Sequence, residues 1–365
     1  MPKIAHVDTE RGFSGGEVQV FLLIEGLRRQ GWRNVLFSPP GSRVEARARD
    51  LGVEHVAVAM RNDLDVAAIV AMQRGFRATG AALAHLHTGR ATWLGGWAAR
   101  FAGVPALTTR RMDREVRNGL RTKLIYGTLT RRAVAISPAV ADCLRHGGVH
   151  GSRVRTIWSA IDPEALRPRR TREETRRDLG ARPDQVVLIS IGTLVPRKGL
   201  DVLMDALATL PDRGTWGAWL AGDGAERENL ERRATELGVA SNVRFLGRRD
   251  DVADLLAACD VVAMPSRREG LGVAALEAMA AGRAIVASNV GGLGQAVLHE
   301  RTGLLVPPGD ARALAAALRS LIEDRSRRER LGAAGPARIA EGFLASQMVE
   351  AYAQLYREVL AEVAR

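Results

Sequence analysis

The sequence predicts an α/β protein made of two doubly wound parallel-sheet domains. Three observations carry this. Short β-branched runs alternate with helix-period segments along nearly the whole chain, and a polar, proline-bearing stretch near the middle separates two such sets. At 365 residues with 46% hydrophobic content, the chain also has enough apolar material for two cores of ordinary domain size.

In order, "KIAHVDT" reads as a strand, "GGEVQVFLLIEGLRRQG" as a helix and "RNVLFSPP" as a second strand. "LAHLHT", "PALTTR" and "AVAIS" follow, each leading into a helical or turn segment, and they close a first domain over residues 1–162. Residues 163–184 are polar, charged and carry prolines, the composition of a linker. A second set, "VVLISIG", "GAWLAGDG", "VRFLG", "VVAMPS", "AIVAS" and "TGLLVPP", makes a domain over 185–342, its strands separated by helices such as "LDVLMDALATL" and "VAALEAMAAG". Residues 343–365 show apolar positions at helical spacing and read as a long closing helix.

Composition excludes several classes. No apolar run reaches the length of a membrane span, and "MPKIAHVDTE" lacks the regions of a signal peptide, so a cytoplasmic protein is expected, with a peripheral position on the inner face of the cell membrane. Cys143 and Cys259 are isolated, without metal-ligand spacing, and read as reduced core residues. The formal net charge of +12 is concentrated at one end: residues 1–162 hold 24 Lys+Arg against 13 Asp+Glu, whereas the remainder is nearly balanced. Such asymmetry points to an anionic partner for the first half. Only three of the 53 basic residues are lysines, Lys3, Lys123 and Lys198, so each is a position where a compact ammonium is wanted over the default guanidinium.

The most informative stretch is "PSRREGLGVAALEAMAAGRAIVAS". Glu269 stands just before a Gly-Leu-Gly turn, where an acid suits a helix N-terminus. Glu277 falls inside the following helix among Val, Ala, Leu and Met, where an unpartnered carboxylate costs several kcal/mol. A ligand that donates hydrogen bonds, such as a sugar or ribose hydroxyl, would answer that cost. Two further glycine-bearing strand-to-helix loops, "SGGEVQV" and "IGTLVPRKG", stand where parallel sheets bind anions.

Together with "NVGGLGQAVLHERTGLLVPPGD", these motifs resemble the signature of the family 4 retaining glycosyltransferases (GT4, group 1), whose GT-B architecture pairs two Rossmann-like domains across a cleft. The resemblance implies transfer of a sugar from a nucleotide-sugar donor to a glycan or glycolipid acceptor of the cell envelope, lipopolysaccharide or a related glycan. It implies retention of configuration, with a donor phosphate oxygen accepting the acceptor's proton and neither metal nor cofactor required. By the same resemblance Glu269 holds donor-sugar hydroxyls, Glu277 the ribose hydroxyls, and Gly270, Leu271 and Gly272 meet sugar and phosphates. Lys198 and Arg197 neutralise the departing diphosphate, and Gly15 and Gly16 bring the first domain's backbone to the phosphates or the acceptor.

The chain departs from the family pattern at Thr193, where an arginine is usual; at Gln295, where the family commonly has Glu; and at Arg110-Arg111, where many relatives carry a histidine after Thr109. His85 and His87 face one side of a strand, and no third metal ligand is apparent in the sequence. His85 reads as structural, and His87, nearer the strand end, as the candidate catalytic histidine of the first domain. "NDLD" reads as a helix cap. Residues 100–132 hold nine basic residues with Met112, Val116, Leu120 and Leu124 every four positions, the pattern of an amphipathic helix suited to an anionic membrane. Two rival readings have less support. A sugar-nucleotide epimerase on the same fold does not account for the paired glutamates, and a nucleic-acid-binding protein would want more than 4% aromatic residues and a recognition module.

Overall fold

The computed structural model describes residues 1–211 and 214–363. The chain forms two compact units. The first comprises Met1–Ala160 with the C-terminal helix Ala345–Val363, and the second comprises Ile161–Leu344. The last two positions of the closing helix expected over 343–365 lie outside the described residues.

The strands of the first unit are β1 Lys3–Val7, β2 Arg33–Ser38, β3 Glu54–Ala57, β4 Ala81–Leu86, β5 Ala106–Arg110, β6 Arg132–Ala135 and β7 Val154–Thr156. They form a seven-stranded sheet in the order β3-β2-β1-β4-β5-β6-β7. Every pairing is parallel. Both faces are covered, so stretches such as Val35–Phe37 are buried on each side and read as continuous apolar runs. One face packs Val7, Phe37 and Leu86 against Met72, Phe76 and Leu94. The other packs Ile4, Leu83 and Val134 against Leu23 and Leu27 of the helix Gly15–Arg29 and Tyr352 and Tyr356 of the C-terminal helix. The helix Gly15–Arg29 starts at a reciprocal cap, with Ser14 capping the first turn and Glu17 reaching back to Ser14 N. The two edge strands β3 and β7 escape the sequence pattern because they span only four and three residues and carry little apolar signal.

The second unit has strands β8 Val186–Ile191, β9 Trp216–Ala221, β10 Val243–Gly247, β11 Val261–Met264, β12 Ala284–Ser288 and β13 Gly303–Val306. They form a six-stranded parallel sheet in the order β10-β9-β8-β11-β12-β13. All six coincide with strands expected from the sequence. The core gathers Leu188, Leu203, Leu207, Trp216, Leu220, Val261 and Leu318. In each sheet the strand order reverses once, between β1 and β4 and between β8 and β11. Loops diverging above and below such a reversal leave a crevice at the strand carboxyl ends, the usual ligand position in open parallel sheets.

Two expectations are corrected. Residues 163–184 are not a free linker: Pro163–Leu166 forms a 3-10 turn and Arg172–Asp178 a helix opened by a Thr171/Glu174 capping box. That helix is fastened into the second unit, since Arg176 Nη1 reaches Asp260 Oδ2 at 3.1 Å and Arg172 Nη2 reaches Asp260 Oδ1 at 2.6 Å. Asp260 also accepts from Val187 N at the start of β8. Composition alone misses this, although Thr-x-x-Glu is a helix-start signal. Nor is there an amphipathic helix through Met112 and Leu124. Residues 111–118 carry no regular structure, and a short helix spans only Leu120–Lys123 before a π-helical turn, Leu124–Leu129. Val116 turns inward onto Gly147, which breaks the expected stripe. Among the described residues no helix is long and apolar enough to cross a membrane.

The Asp260 cluster provides a stability test. Removing one partner of a buried ion pair typically costs about 3–5 kcal/mol because the remaining charge is left uncompensated. With Arg172 still in place, Arg176→Ala is expected at the lower end, and a chemical denaturation midpoint indistinguishable from wild type would show that segment 163–184 is loosely held.

Candidate active site

The second unit assembles the densest set of expected site residues from two loops at its strand reversal. β8 leads through Gly192 and Thr193 into a 3-10 turn, Pro196–Lys198, and then into the helix Leu200–Ala208. β11 leads through Pro265–Gly272 into the helix Val273–Ala280. The loops are locked together by the backbone bond from Arg267 N to Arg197 O at 2.8 Å. They also meet at Gly199, which has φ +64°. A β-carbon there would lie 2.1 Å from Pro265 O, so only glycine permits the approach.

Across this seam Lys198 Nζ donates to Glu269 Oε2, and Arg197 Nη1 lies 3.5 Å from the same oxygen. Ser266, which carries no distinguishing signal in the sequence, places its hydroxyl 3.4 Å from it. Glu269 and Lys198 are largely buried, whereas the Arg197 side chain is more open, so the acid is held between one enclosed and one solvent-reaching cation. Lys198 lines a small cleft with Ser190, Gly192, Thr193, Met264, Pro265 and Ser266. Thr193, the departure from the family pattern, therefore sits on the cleft wall.

Gly270, Leu271 and Gly272 form the turn into the helix, and Leu271 is anchored in the core. Gly272 has φ +86°, and Gly292 N donates to Glu269 O, tying the Gly291–Gly294 loop to the same turn. Glu277 emerges one turn into the helix. Among the described residues its carboxylate makes no hydrogen bond or ion pair, and burial pushes its pKa up to about 7. The acid read from sequence as needing a donor is thus an acid without one.

The remaining expected site residues lie in the first unit. Gly15 and Gly16 open the helix after β1, and His87 follows β4, both at the carboxyl end of the strands flanking the reversal. His87 is 4% exposed, and its Nε2 lies 3.0 Å from His6 Nδ1. The sequence offers His85 and His87 with no third histidine nearby. The fold supplies one, because His6 on β1 is in register with His85 on β4. The three imidazoles lie with ligand-type atoms within 4.8 Å of one another. Their lone pairs are largely committed: His85 bonds Tyr356 Oη at 2.6 Å and Thr109 Oγ1 at 2.7 Å, and His6 also bonds Asn34 Oδ1. Burial lowers His6 to about 4 and holds His85 and His87 well below the usual histidine range. This neutral network joins the sheet to the C-terminal helix, and of its imidazole nitrogens His87 Nδ1 is left without a partner among the described residues. No sequence signal pairs His6 with His85, since register between β1 and β4 is a long-range property.

The two parallel sheets, with ion-paired and glycine-bearing loops at the reversal, define a GT-B protein, and solved structures agree. Anabaena HepE in complex with UDP and glucose superposes with a TM-score of 0.88 at 23% identity, covering 98% of this chain and 100% of that one. The apo lipopolysaccharide outer core galactosyltransferase WaaB gives 0.74 at 16%, covering 98% and 99%. At the level of sequence, residues 13–165 match the model for Glycosyltransferase Family 4 and residues 171–338 that for Glycosyl transferases group 1. The chain belongs to this glycosyltransferase family. The lipopolysaccharide core biosynthesis glycosyltransferase LpsE of Rhizobium meliloti is 39% identical over 180 residues, 49% of this chain and 52% of LpsE. D-inositol 3-phosphate glycosyltransferase of Corynebacterium urealyticum is 37% identical over 231 residues, 59% of this chain and 54% of that protein. These alignments span about half the length of the curated relatives.

The raised pKa of Glu277 has a measurable sign. A carboxyl titrating higher in the folded chain than in the unfolded one costs stability once it ionises, and each tenfold difference in proton affinity between the two states is worth about 1.4 kcal/mol. Without ligand, Glu277→Gln is expected to exceed wild type at pH 8 by on the order of 3 kcal/mol and to equal it at pH 4. Parallel denaturation curves at the two pH values check this, and a difference that does not depend on pH would contradict it.

Proposed function

We propose that the chain transfers a sugar from a nucleotide-sugar donor to a cell-envelope glycan or glycolipid, with retention of configuration and without a bound metal. The observation that carries this reading is the seam in the second unit. There Lys198 and Arg197 meet Glu269 at the mouth of a glycine-lined strand-to-helix turn, and unpartnered Glu277 stands one helical turn further on. A nucleoside diphosphate has the complementary chemistry. Its phosphates take the two cations and the N–H groups of the glycine turns, and its ribose hydroxyls give Glu277 the donors it lacks. Glu269, released from its ion pair, is then an acceptor for donor-sugar hydroxyls. Stabilisation of the leaving diphosphate by Lys198 and Arg197 is the catalytic contribution these residues can make. The UDP bound in Anabaena HepE supports a nucleotide-sugar donor, and the lipopolysaccharide core biosynthesis named for the Rhizobium meliloti relative supports an envelope-type acceptor.

Calorimetry with UDP and turnover of the nucleotide sugar test the reading together. Glu277→Ala is expected to weaken UDP binding by roughly 10- to 100-fold, the loss of a charge-assisted hydrogen bond worth about 1.5–3 kcal/mol. Lys198→Ala is expected to lower kcat, with Lys198→Arg a partial rescue. No UDP binding by the wild-type chain, or full turnover in Lys198→Ala, would overturn these assignments.

An anionic membrane surface is the setting that fits such an acceptor. Although residues 100–132 are not one amphipathic helix, they still expose Leu120 (87%), Met112 and Phe101 beside Arg100, Arg114, Arg117 and Lys123. Arg121 links this segment to Asp63 at 2.7 Å, next to exposed Leu64 and Val66, and stacks on Trp93 at 5.0 Å. Apolar tips ringed by guanidinium groups suit the boundary between headgroups and acyl chains, each basic residue near the surface contributing about 1 kcal/mol. The full chain is expected to sediment with vesicles containing phosphatidylglycerol, to be released as salt rises, and to lose binding in a Leu64→Asp/Leu120→Asp double variant. Equal or absent binding to anionic and neutral vesicles would contradict the docking.

A further inference from the structure

Three polar side chains of the first unit stand on one diagonal across its sheet. Asn34 on β2 is in register with Ile4 on β1, two positions before His6, and His6 is in register with His85 on β4, two positions before His87. Side chains two apart along a strand share a face, so Asn34, His6 and His87 climb one face toward the carboxyl ends of the strands. All three are buried. Asparagine is depleted in strands, and a buried one calls for partners.

The hydrogen bonds along this diagonal determine where each proton sits. Asn34 Nδ2 donates to Trp32 O at 3.0 Å. A carbonyl oxygen only accepts, so the amide nitrogen has to face it, and Oδ1 has to face His6 Nε2, 3.0 Å away. Oδ1 also only accepts, so His6 Nε2 carries its proton. Among the described residues no carboxylate bonds to His6, and burial keeps it neutral, its pKa lowered to about 4. A neutral imidazole with its proton on Nε2 has a lone pair at Nδ1, and that atom lies 3.0 Å from His87 Nε2. His87 Nε2 is therefore the donor. Burial, helped by the nearby Arg111 charge, holds His87 neutral too, which leaves a lone pair at Nδ1, the nitrogen without a partner among the described residues. We propose that Asn34, acting through His6, is a positioning residue that fixes the tautomer of His87 and so keeps a bare Nδ1 lone pair at the carboxyl end of the sheet. The other tautomer would put an N–H there. An N–H donates to a phosphate or a carbonyl, whereas a lone pair accepts from a hydroxyl and repels an oxyanion. For its ligand this rests on the glycosyl-transfer reading, under which the group that His87 suits is a hydroxyl of a sugar or polyol.

An asparagine that merely satisfied His6 would change stability and leave the tautomer of His87 alone, so the tautomer is the readout. It is taken from long-range proton–nitrogen spectra of the full chain carrying nitrogen-labelled histidine at neutral pH, with the His87 signals assigned by their loss in His87→Asn. Wild type is expected to show a protonated Nε2 and an unprotonated Nδ1. Asn34→Leu, which removes the acceptor, is expected to give a mixture of both His87 tautomers, and Asn34→Thr, whose hydroxyl can still accept from His6, to keep more of the wild-type form. Unchanged signals from exposed His146, His150 and His299 show that the variants fold. A proton on Nδ1 in wild type overturns the proposal whether or not Asn34→Leu folds, and so does a wild-type pattern in that variant. With UDP-glucose turnover as the kinetic probe, Asn34→Leu is expected to lose roughly tenfold in kcat at unchanged KM for the donor, with partial rescue in Asn34→Thr. Full kcat beside an altered tautomer would overturn the hydroxyl role. Absence of turnover in wild type would sink the transfer reading instead, and the ligand-free spectra would still decide the tautomer.

Discussion

The second unit is organised around an acid and a cation that meet across two loops: Glu269 after β11 and Lys198 after β8, 71 residues apart in sequence. Their contact needs β8 and β11 to be neighbours, the strand order to reverse between them, and Gly199 to let one loop ride on the carbonyl of Pro265. On the proposed reading, a site for an anionic diphosphate next to a polyhydroxy sugar holds a cation and a hydrogen-bond acceptor within a few ångströms in a partly dry place. Left alone, each would carry the desolvation penalty of an unpaired charge, so pairing stabilises the empty site. The same pairing sets what a ligand must do. On the proposed reading it offers phosphates to Lys198 and Arg197 and hydroxyls to Glu269, and a ligand with only one of the two breaks the pair without replacing it.

Glu277 follows the opposite logic. Among the described residues nothing pairs it, and its burial is answered by a pKa raised to about 7. The folded chain therefore tolerates the ligand-free state at the expense of some stability above neutral pH, a common pattern where a binding group is held ready for its partner. The two glutamates thus divide the site into a half that is satisfied before ligand arrives and a half that is not.

How much of this is legible in the sequence depends on how local the cause is. Glu277 can be read because a carboxylate at a core position of an apolar helix is visible in a short window, and Lys198 because lysine is rare in an arginine-rich chain. The six strands of the second unit are legible because each is a compact apolar run between turn residues. The role of residues 163–184 is not, since Arg176 takes its meaning from Asp260, 84 positions away. The stripe from Met112 to Leu124 misleads for a related reason. Spacing by four suits a helix, but Val116 is claimed by Gly147 at the end of the helix Pro138–His146, and no capping residue opens a helix at 112.

The same contrast bears on the first unit. His6, His85, Thr109, Tyr352 and Tyr356 satisfy one another almost completely, and that closure is what a buried polar core requires. The network stops at His87 Nδ1, on the ligand end of the sheet, where Arg111 is also left short of partners. Because the rim residues descend from β1, β4 and β5, strands that the saturated network holds in register, the positions of Asp8, His87 and Arg111 are set by the core beneath them. Substituting Arg111, whose hydrogen bond goes to the rim at His87 O, therefore leaves the sheet beneath it in place, whereas a change at His85 would break its bonds to Tyr356 and Thr109.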